Sequence, residues 1–331
     1  MNRLHLSCRD GDGANKERMN ELSRSSDTPV VQHSVVEHGG VTSLILMVTP
    51  QGRGSTAEQL VEALQAVDDT LRGQRTPQHP VTQTVFLRDL RDRALCEKIF
   101  AEHYRNAGPV STYVQQPPCD GAALAIELCA VGGPPVRIGR PAPDVLVAGY
   151  HGIQITYCGG VSCPEAVGDV YEKALDGFRQ MKQKLARAGV NFDRVIRTWL
   201  YLGDITGPER RCDGACFERY MELNRARTDF YENIRFGKGL LLDENREGIY
   251  PASTGIGMDG HGIVMSCVAL ETRRDDVFLQ PLENPQQTPV YHYEPVYSPK
   301  SPKFSRAMAV VADGCATLWI SGTASIVNSK T

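Results

Sequence analysis

The sequence predicts an α+β protein assembled from repeated units, each a mixed sheet carrying two helices on one face. Three observations lead there. The order strand, helix, strand, helix, strand occurs twice in 331 residues, at roughly 110 residues a unit. The helical stretches space their apolar residues by three and four, while the strands are short apolar runs. Hydrophobic residues make up 41% and charged residues 23% of the chain, enough apolar surface for cores of that size.

The first unit, residues 31–133, opens on the apolar run Ser43-Leu-Ile-Leu-Met-Val48. A helix follows with Leu60, Val61, Leu64, Val67 and Leu71 on one side. The strand Thr84-Val-Phe-Leu87 runs into Arg88-Asp-Leu90, a second helix spans Arg93 to Tyr104, and Ala123 to Val131 closes the unit. The second unit, residues 143–271, repeats these parts. Val145 to Gly149 opens it, and a helix aligns Val170, Ala174, Leu175, Phe178, Met181 and Leu185. Arg197 to Leu202 runs into Gly203-Asp-Ile205, a helix is expected over Cys216 to Ile234, and Ile263 to Leu270 closes. The two closing strands align Cys129 with Cys267. Gly/Arg/Asp-rich insertions at 206–215 and 237–248 read as surface loops.

Outside the units, residues 1–30 are polar and read as a flexible tail, with Met19 an alternative start. Residues 281–303 form a Pro-rich linker. Residues 304–331 begin a third unit, in which Leu318-Trp-Ile-Ser-Gly322 resembles the other opening strands. Either this unit is cut short or its strand joins a neighbouring sheet. A sheet with helices on one face needs a partner for the other, which predicts a homotrimer or a pseudo-trimer within one chain.

A formal net charge of −3 argues against a nucleic-acid or anionic-membrane binder, which needs a local excess of Lys and Arg. The longest apolar run, Leu44 to Val48, is far below the roughly 20 residues that cross a bilayer. No export signal is legible, so the cytoplasm is expected. The ten Cys form no paired CxxC sets and read as free thiols. Cys212 and Cys216 lack a second ligand pair, so no metal is expected. Gly255-Ile-Gly-Met-Asp-Gly260 spells a dinucleotide fingerprint but precedes a strand, where that fingerprint must follow a strand and open a helix.

The element order and the string Ala186 to Asp204 resemble the Rid/YjgF family, whose chorismate-mutase-like fold the units are then expected to share. From about residue 145 the chain is similar to the chorismatases, chorismate-hydrolysing enzymes of bacterial secondary metabolism that join Rid-like domains in one chain. The strings carrying this are Arg197-Thr-Trp-Leu-Tyr201, Pro251-Ala-Ser-Thr-Gly-Ile-Gly257, Glu283-Asn-Pro-Gln-Gln-Thr288, Tyr291-His-Tyr293, Tyr297 to Arg306 and Ile320-Ser-Gly-Thr-Ala-Ser-Ile326. The resemblance implies hydrolysis of the enolpyruvyl ether of chorismate to pyruvate and a dihydroxycyclohexadienoate or hydroxybenzoate, without a metal or organic cofactor.

Such chemistry needs cationic forks for two carboxylates and an acid to protonate the enol ether carbon. Arg197, in a strand, is the first fork. Arg227 is the second, although its helix position reads as a solvated face. Asn224 lies on the apolar side of the same helix and must find a partner or line a pocket. Tyr157 and Tyr201 are candidates to orient a ring, with a structural role the alternative. Ser253, Thr254 and Gly255, and Ser321, Gly322, Thr323 and Ala324, form small polar turns that let backbone approach a ligand. Arg306 lies in the segment that the resemblance associates with the substrate pocket.

Two departures stand out. The chorismatase strand resembling 322–326 continues into a segment bearing the acid thought to be catalytic, whereas this chain ends at Val327-Asn-Ser-Lys-Thr331 without one. By the resemblance, that leaves the catalytic residue unknown and activity open. Nor does Pro251 to Thr254 keep the Arg of Rid deaminases, and Val110 stands at the matching place in the first unit. A Rid-type enamine or imine deaminase and a non-catalytic carboxylate-binding or assembly protein remain the alternatives.

Overall fold

The computed structural model describes residues 28–105, 107–119, 121–163, 168–211, 214–243, 248–294 and 300–323. The expected tail lies almost wholly outside these residues, as do Met19, Cys212, Ala324 and the chain's last residues.

Three hairpins organise the molecule. β1 (Val30–His38) and β2 (Val41–Thr49) meet at Gly39-Gly40, with φ of 57° and 77°. β7 (Val145–Tyr150) and β8 (Ile153–Cys163) meet at His151-Gly152, at 48° and 72°. Two positive φ values in succession make the tight turn whose twist matches that of the paired strands. The same turn recurs at Asp313-Gly314, 51° and 72°, between β15 (Ala307–Ala312) and β16 (Cys315–Ile320).

Each of the first two hairpins grows into a sheet. In the first unit come α1 (Thr56–Arg72), β3 (Gln78–Leu87), α2 (Arg93–Tyr104), β4 (Val110–Gln115) and β5 (Leu124–Gly132), giving the order β1-β2-β5-β3-β4. α1 starts at a capping box, where Ser55 and Glu58 satisfy each other's backbone N–H. In the second unit, β6 (Arg137–Ala142) precedes β7. After β8 come α3 (Val170–Arg187), β9 (Val195–Gly203), the short pair β10 (Pro208–Arg210) and β11 (Cys216–Glu218), α4 (Arg219–Tyr231), β12 (Ala252–Met258) and β13 (Ile263–Thr272). The sheet order is β12-β9-β13-β8-β7-β6, the first unit's order with one strand added. β14 (Phe278–Leu282), β15 and β16 form a third, antiparallel sheet.

The hairpins move several sequence expectations. Ser43 to Val48 is the second strand of its hairpin, so its counterpart is β8 and not Val145 to Gly149; β16 holds the same place in the third sheet and pairs with β15. The helix expected from Cys216 begins at Arg219, because Cys216 to Glu218 pair with β10. The expected linker starts inside β14. The Cys129–Cys267 alignment is out by one residue. Gln83 pairs with Leu128 and, equivalently, Thr198 pairs with Cys267. A slip of one exchanges the faces of a strand. Leu128 and Cys267 accordingly pack under the helices of their own units, while Cys129 packs between the sheets.

Each helical pair covers one sheet face, with Phe178, Met181 and Leu185 fully buried in the second unit and Leu60, Leu64 and Val67 buried in the first. The helix-free faces cover one another within the chain. Val81, Val110 and Val131 of the first sheet pack with Tyr157, Ile196, Val268 and Leu270 of the second and with Met308 and Val310 of the third. One contact repeats at successive junctions: Gly160 N donates to Thr112 Oγ1 at 3.2 Å, and Gly322 N donates to Thr254 Oγ1 at 3.0 Å.

Candidate functional site

The site lies where β9 and β12, paired in parallel, meet the start of the third sheet. The register sets Thr198 beside Ser253 and Trp199 beside Thr254. Alternation along β9 sends Arg197, Trp199 and Tyr201 to the helix-free side and Thr198 to the helix side.

On the helix-free side, the Arg197 guanidinium sits 4.4 Å from the Trp199 ring centroid and donates to Thr254 Oγ1 at 2.5 Å and to the Thr198 carbonyl at 3.0 Å. Trp199 in turn meets Trp319 edge-on. Burial lowers the Arg197 pKa to about 10, opposed by the nearby Tyr201 and by Glu127 of the first unit. Glu127 is half-buried, and burial raises its carboxyl while Arg197 pulls it back. It faces Thr84 across the first sheet. Burial, with Glu127 second, pushes the Tyr201 phenol up.

On the helix side, Arg227 is 1% exposed, so the solvated-face reading of this residue was wrong. α4 turns it inward with Leu223, Asn224 and Tyr231. It donates to Asn224 Oδ1 and, at 3.3 Å, to Ser253 Oγ; its Nε has no partner among the described residues. The Phe304 ring lies 5.4 Å from the guanidinium carbon. Thr198 Oγ1 donates to Ser253 Oγ at 2.8 Å, so hydroxyls run across the strand pair between the two arginines.

Ser321 fastens this strip to the third sheet: its Oγ accepts from Ser253 N at 2.8 Å and donates to the Ser305 carbonyl at 2.6 Å. Of the expected polar turns, Ser253 to Gly255 prove to lie in strand β12, while Ser321 to Thr323 directly follow β16. Gly255 is required by contact, since a Cβ there would lie 2.9 Å from the Tyr220 ring. Thr323 is exposed and Ala324 lies outside the described residues.

Arg306 does not join the group. Its backbone carbonyl accepts from Ser321 N, but its guanidinium turns to Glu283, 3.7 Å away, and to Tyr293 and the Thr288 carbonyl. Tyr157 is packed among apolar residues between the sheets, its phenol raised well above its ordinary value by burial. Sequence reasoning missed Glu127 and Phe304. A single acid within the apolar string Leu124 to Val131 was the available signal for Glu127.

The two central arginines differ from other buried ones. Arg219 pairs with Glu209 at 2.6 Å and Arg306 neighbours Glu283. Arg197 and Arg227 make no ion pair among the described residues and rest on hydroxyl, amide and carbonyl oxygens. No cluster of three His, Cys, Asp or Glu able to hold a metal occurs among the described residues, nor any helix long and apolar enough to cross a membrane. Val110 and Ala252, where Rid deaminases would carry Arg, are buried among apolar side chains.

No family model matches the sequence. It is 31% identical over 185 residues to a 3-hydroxybenzoate synthase of Streptomyces hygroscopicus, covering 55% of this chain and 48% of that protein. It is also 31% identical over 144 residues to a chorismatase of the same organism, covering 43% and 36%. The chain therefore spans half or less of the length of these curated relatives. A chorismatase crystal structure superposes with a TM-score of 0.54 at 19% identity, over 93% of this chain and 72% of that one.

Proposed function

From a Rid-superfamily, chorismatase-like chain, we propose that the β9–β12 site binds chorismate or a closely similar cyclic dicarboxylate. The observation carrying this reading is the pair of buried guanidiniums, Arg197 and Arg227, that make no ion pair among the described residues. A buried charge without a counter-ion is costly, and a ligand carboxylate brought to either guanidinium removes that cost there. Hydroxyls of Thr198, Ser253 and Thr254 lie between them, suited to a hydroxylated ring.

Hydrolysis of the enolpyruvyl ether would proceed by proton transfer to the methylene carbon. Water then adds to the resulting oxocarbenium, and the hemiketal collapses to pyruvate and the ring alcohol, released as a dihydroxycyclohexadienoate or, after loss of water, a hydroxybenzoate. Glu127 is our candidate for the proton donor, because burial favours its protonated form beside Arg197. The acid would then come from the first unit, across the junction of the sheets.

Two finer points belong to the same reading. The helix-free faces cover one another inside one chain, which favours a pseudo-trimer over a homotrimer. The eight described cysteines are free, which suits the reducing cytoplasm.

The test is pyruvate release from chorismate by the purified chain, measured against spontaneous decay, beside the thermal shift that chorismate induces. Release abolished by Glu127→Gln with the shift retained supports the whole reading. A shift without release reduces the protein to a binder, and no shift at all from folded protein overturns the assignment of this site.

A further inference from the structure

A cavity of about 550 Å³ lies beyond the C-terminal turn of α4, and none of Arg197, Asn224, Ser253 or Thr254 lines it. Among the described residues its charged lining is lopsided: Arg235, Lys238, Lys300 and Lys303 against Asp229 and Glu232. Of the cations, Lys300 reaches Asp229 at 3.7 Å. Asp229 also accepts from the Tyr171 hydroxyl. The side chains of Arg235, Lys238 and Lys303 make no ion pair or hydrogen bond among the described residues. Lys303 is half-buried, with its Nζ 5.6 Å from the Tyr250 ring centroid. Burial lowers its ammonium pKa, and Lys300 and Arg227 lower it further, as expected of a cation with cationic neighbours and no anion.

The rest of the lining combines Tyr231, Phe236 and Tyr250 with Ile234, Leu241 and Ile249. Tyr250 stacks on Tyr231 at an interplanar angle of 15°, with Phe236 beside both. An aromatic and aliphatic surface at the edge of a net cationic cluster recognises a planar ring bearing an anionic group, which ring stacking and Coulomb attraction would hold together.

We propose that the cavity bounded by Tyr231, Phe236, Tyr250, Lys238 and Lys303 is a second ligand site, taking an aromatic carboxylate. It rests on this cavity's own lining and on a ligand of single charge, so it stands whether or not the β9–β12 site binds chorismate. Lys303 supplies the partly buried counter-charge and Lys238 the solvent-side one, while Tyr250, backed by Tyr231, contacts the ring.

The test is calorimetric titration of the intact chain with benzoate at low ionic strength, with benzamide and inorganic phosphate as companions. Expected are benzoate binding, no binding of the neutral isostere benzamide, and phosphate at least about tenfold weaker, since it offers charge without a ring. Lys303→Met should weaken benzoate at least about tenfold and exposed Lys238→Ala by a smaller factor, whereas Arg197→Met should leave it unchanged. Benzamide binding as tightly as benzoate, phosphate matching it, or both lysine variants binding like the parent overturns the proposal. Loss in Arg197→Met alone would place benzoate in the β9–β12 site, and this cavity would again be no ligand site.

Discussion

Arg197 Nη2 and Thr254 Oγ1 lie 2.5 Å apart across 57 residues of sequence, and the same Thr254 oxygen accepts from Gly322 N at 3.0 Å. One hydroxyl therefore couples a buried cation to the junction of the second and third sheets. What holds Arg197 is this hydroxyl, one carbonyl and the face of Trp199, none of which carries a full negative charge.

A ligand-free protein is consequently expected to tolerate loss of this cation. Replacing an uncompensated buried charge with an apolar side chain of similar length is neutral or stabilising. Arg197→Met should leave the melting temperature unchanged or raise it, while removing the thermal shift induced by chorismate. Arg219 is the contrast, because it pairs with Glu209 and also bonds the Gly203 and His261 carbonyls. Arg219→Met leaves those acceptors buried and should cost about 3–5 kcal/mol in denaturant unfolding. Equal losses in the two variants would show that Arg197 is paired as firmly as Arg219.

The link at Ser321 is expected to be worth about 2 kcal/mol. Ser321→Ala strips a partner from the Ser253 N–H and from the Ser305 carbonyl, both in a buried seam. The hairpin β15–β16 should then gain amide exchange ahead of the rest, while β2 and β5 of the first unit keep their protection. Uniform loss of protection across all three sheets would contradict this order.

Two acids should give stability opposite slopes with pH. Burial raises the Glu127 carboxyl, so the native state holds its proton where the unfolded chain has lost it. Its contribution falls as pH rises from the unfolded value, about 4.3, through the folded one. Glu222 is pushed up by burial, but bonds from Arg211 and Arg225 win and lower it. Its contribution is present above the unfolded value and lost as pH falls through the folded one. Unfolding measured from pH 3 to 8 should show Glu127→Gln flattening the upper part of the curve and Glu222→Gln the acid limb. Identical curve shapes for the two variants would refute the assignment.

Much of the fold is legible because helices announce themselves over many residues. The stripes through Leu60 to Leu71 and Val170 to Leu185 locate α1 and α3 to within a turn. Hairpins are harder to read. β1, with Val30, Val35 and Val36 exposed, lacks a buried face to mark it. Gly39-Gly40, His151-Gly152 and Asp313-Gly314 share a backbone conformation while differing in composition, so their equivalence emerges only from φ. The site was half legible: Arg197, Asn224 and Thr254 sit where strand and helix periodicity put them. Arg227 was misjudged because the partners that draw it inward, Ser253 and Phe304, come from distant segments. Glu127 escaped because its relation to Arg197 crosses between units.

The repeated hairpin sets equivalent residues in different surroundings. Ile45, Tyr157 and Trp319 each stand five residues beyond the second residue of their turn. Equivalent backbone does not bring equivalent burial: Tyr157 is 7% exposed in the seam with the first sheet, whereas Ile45 is 56% exposed. Burial, not position in the repeat, should set the energetic weight. Tyr157→Ala should therefore cost about 3–5 kcal/mol, through lost transfer energy and the cavity left between the sheets. Ile45→Thr keeps a β-branched side chain on an exposed strand face and should stay within about 0.5 kcal/mol of the parent. Urea midpoints of the two variants check both. A large loss at Ile45 would mean that this face is covered in solution as Tyr157 is, by a surface outside the described residues.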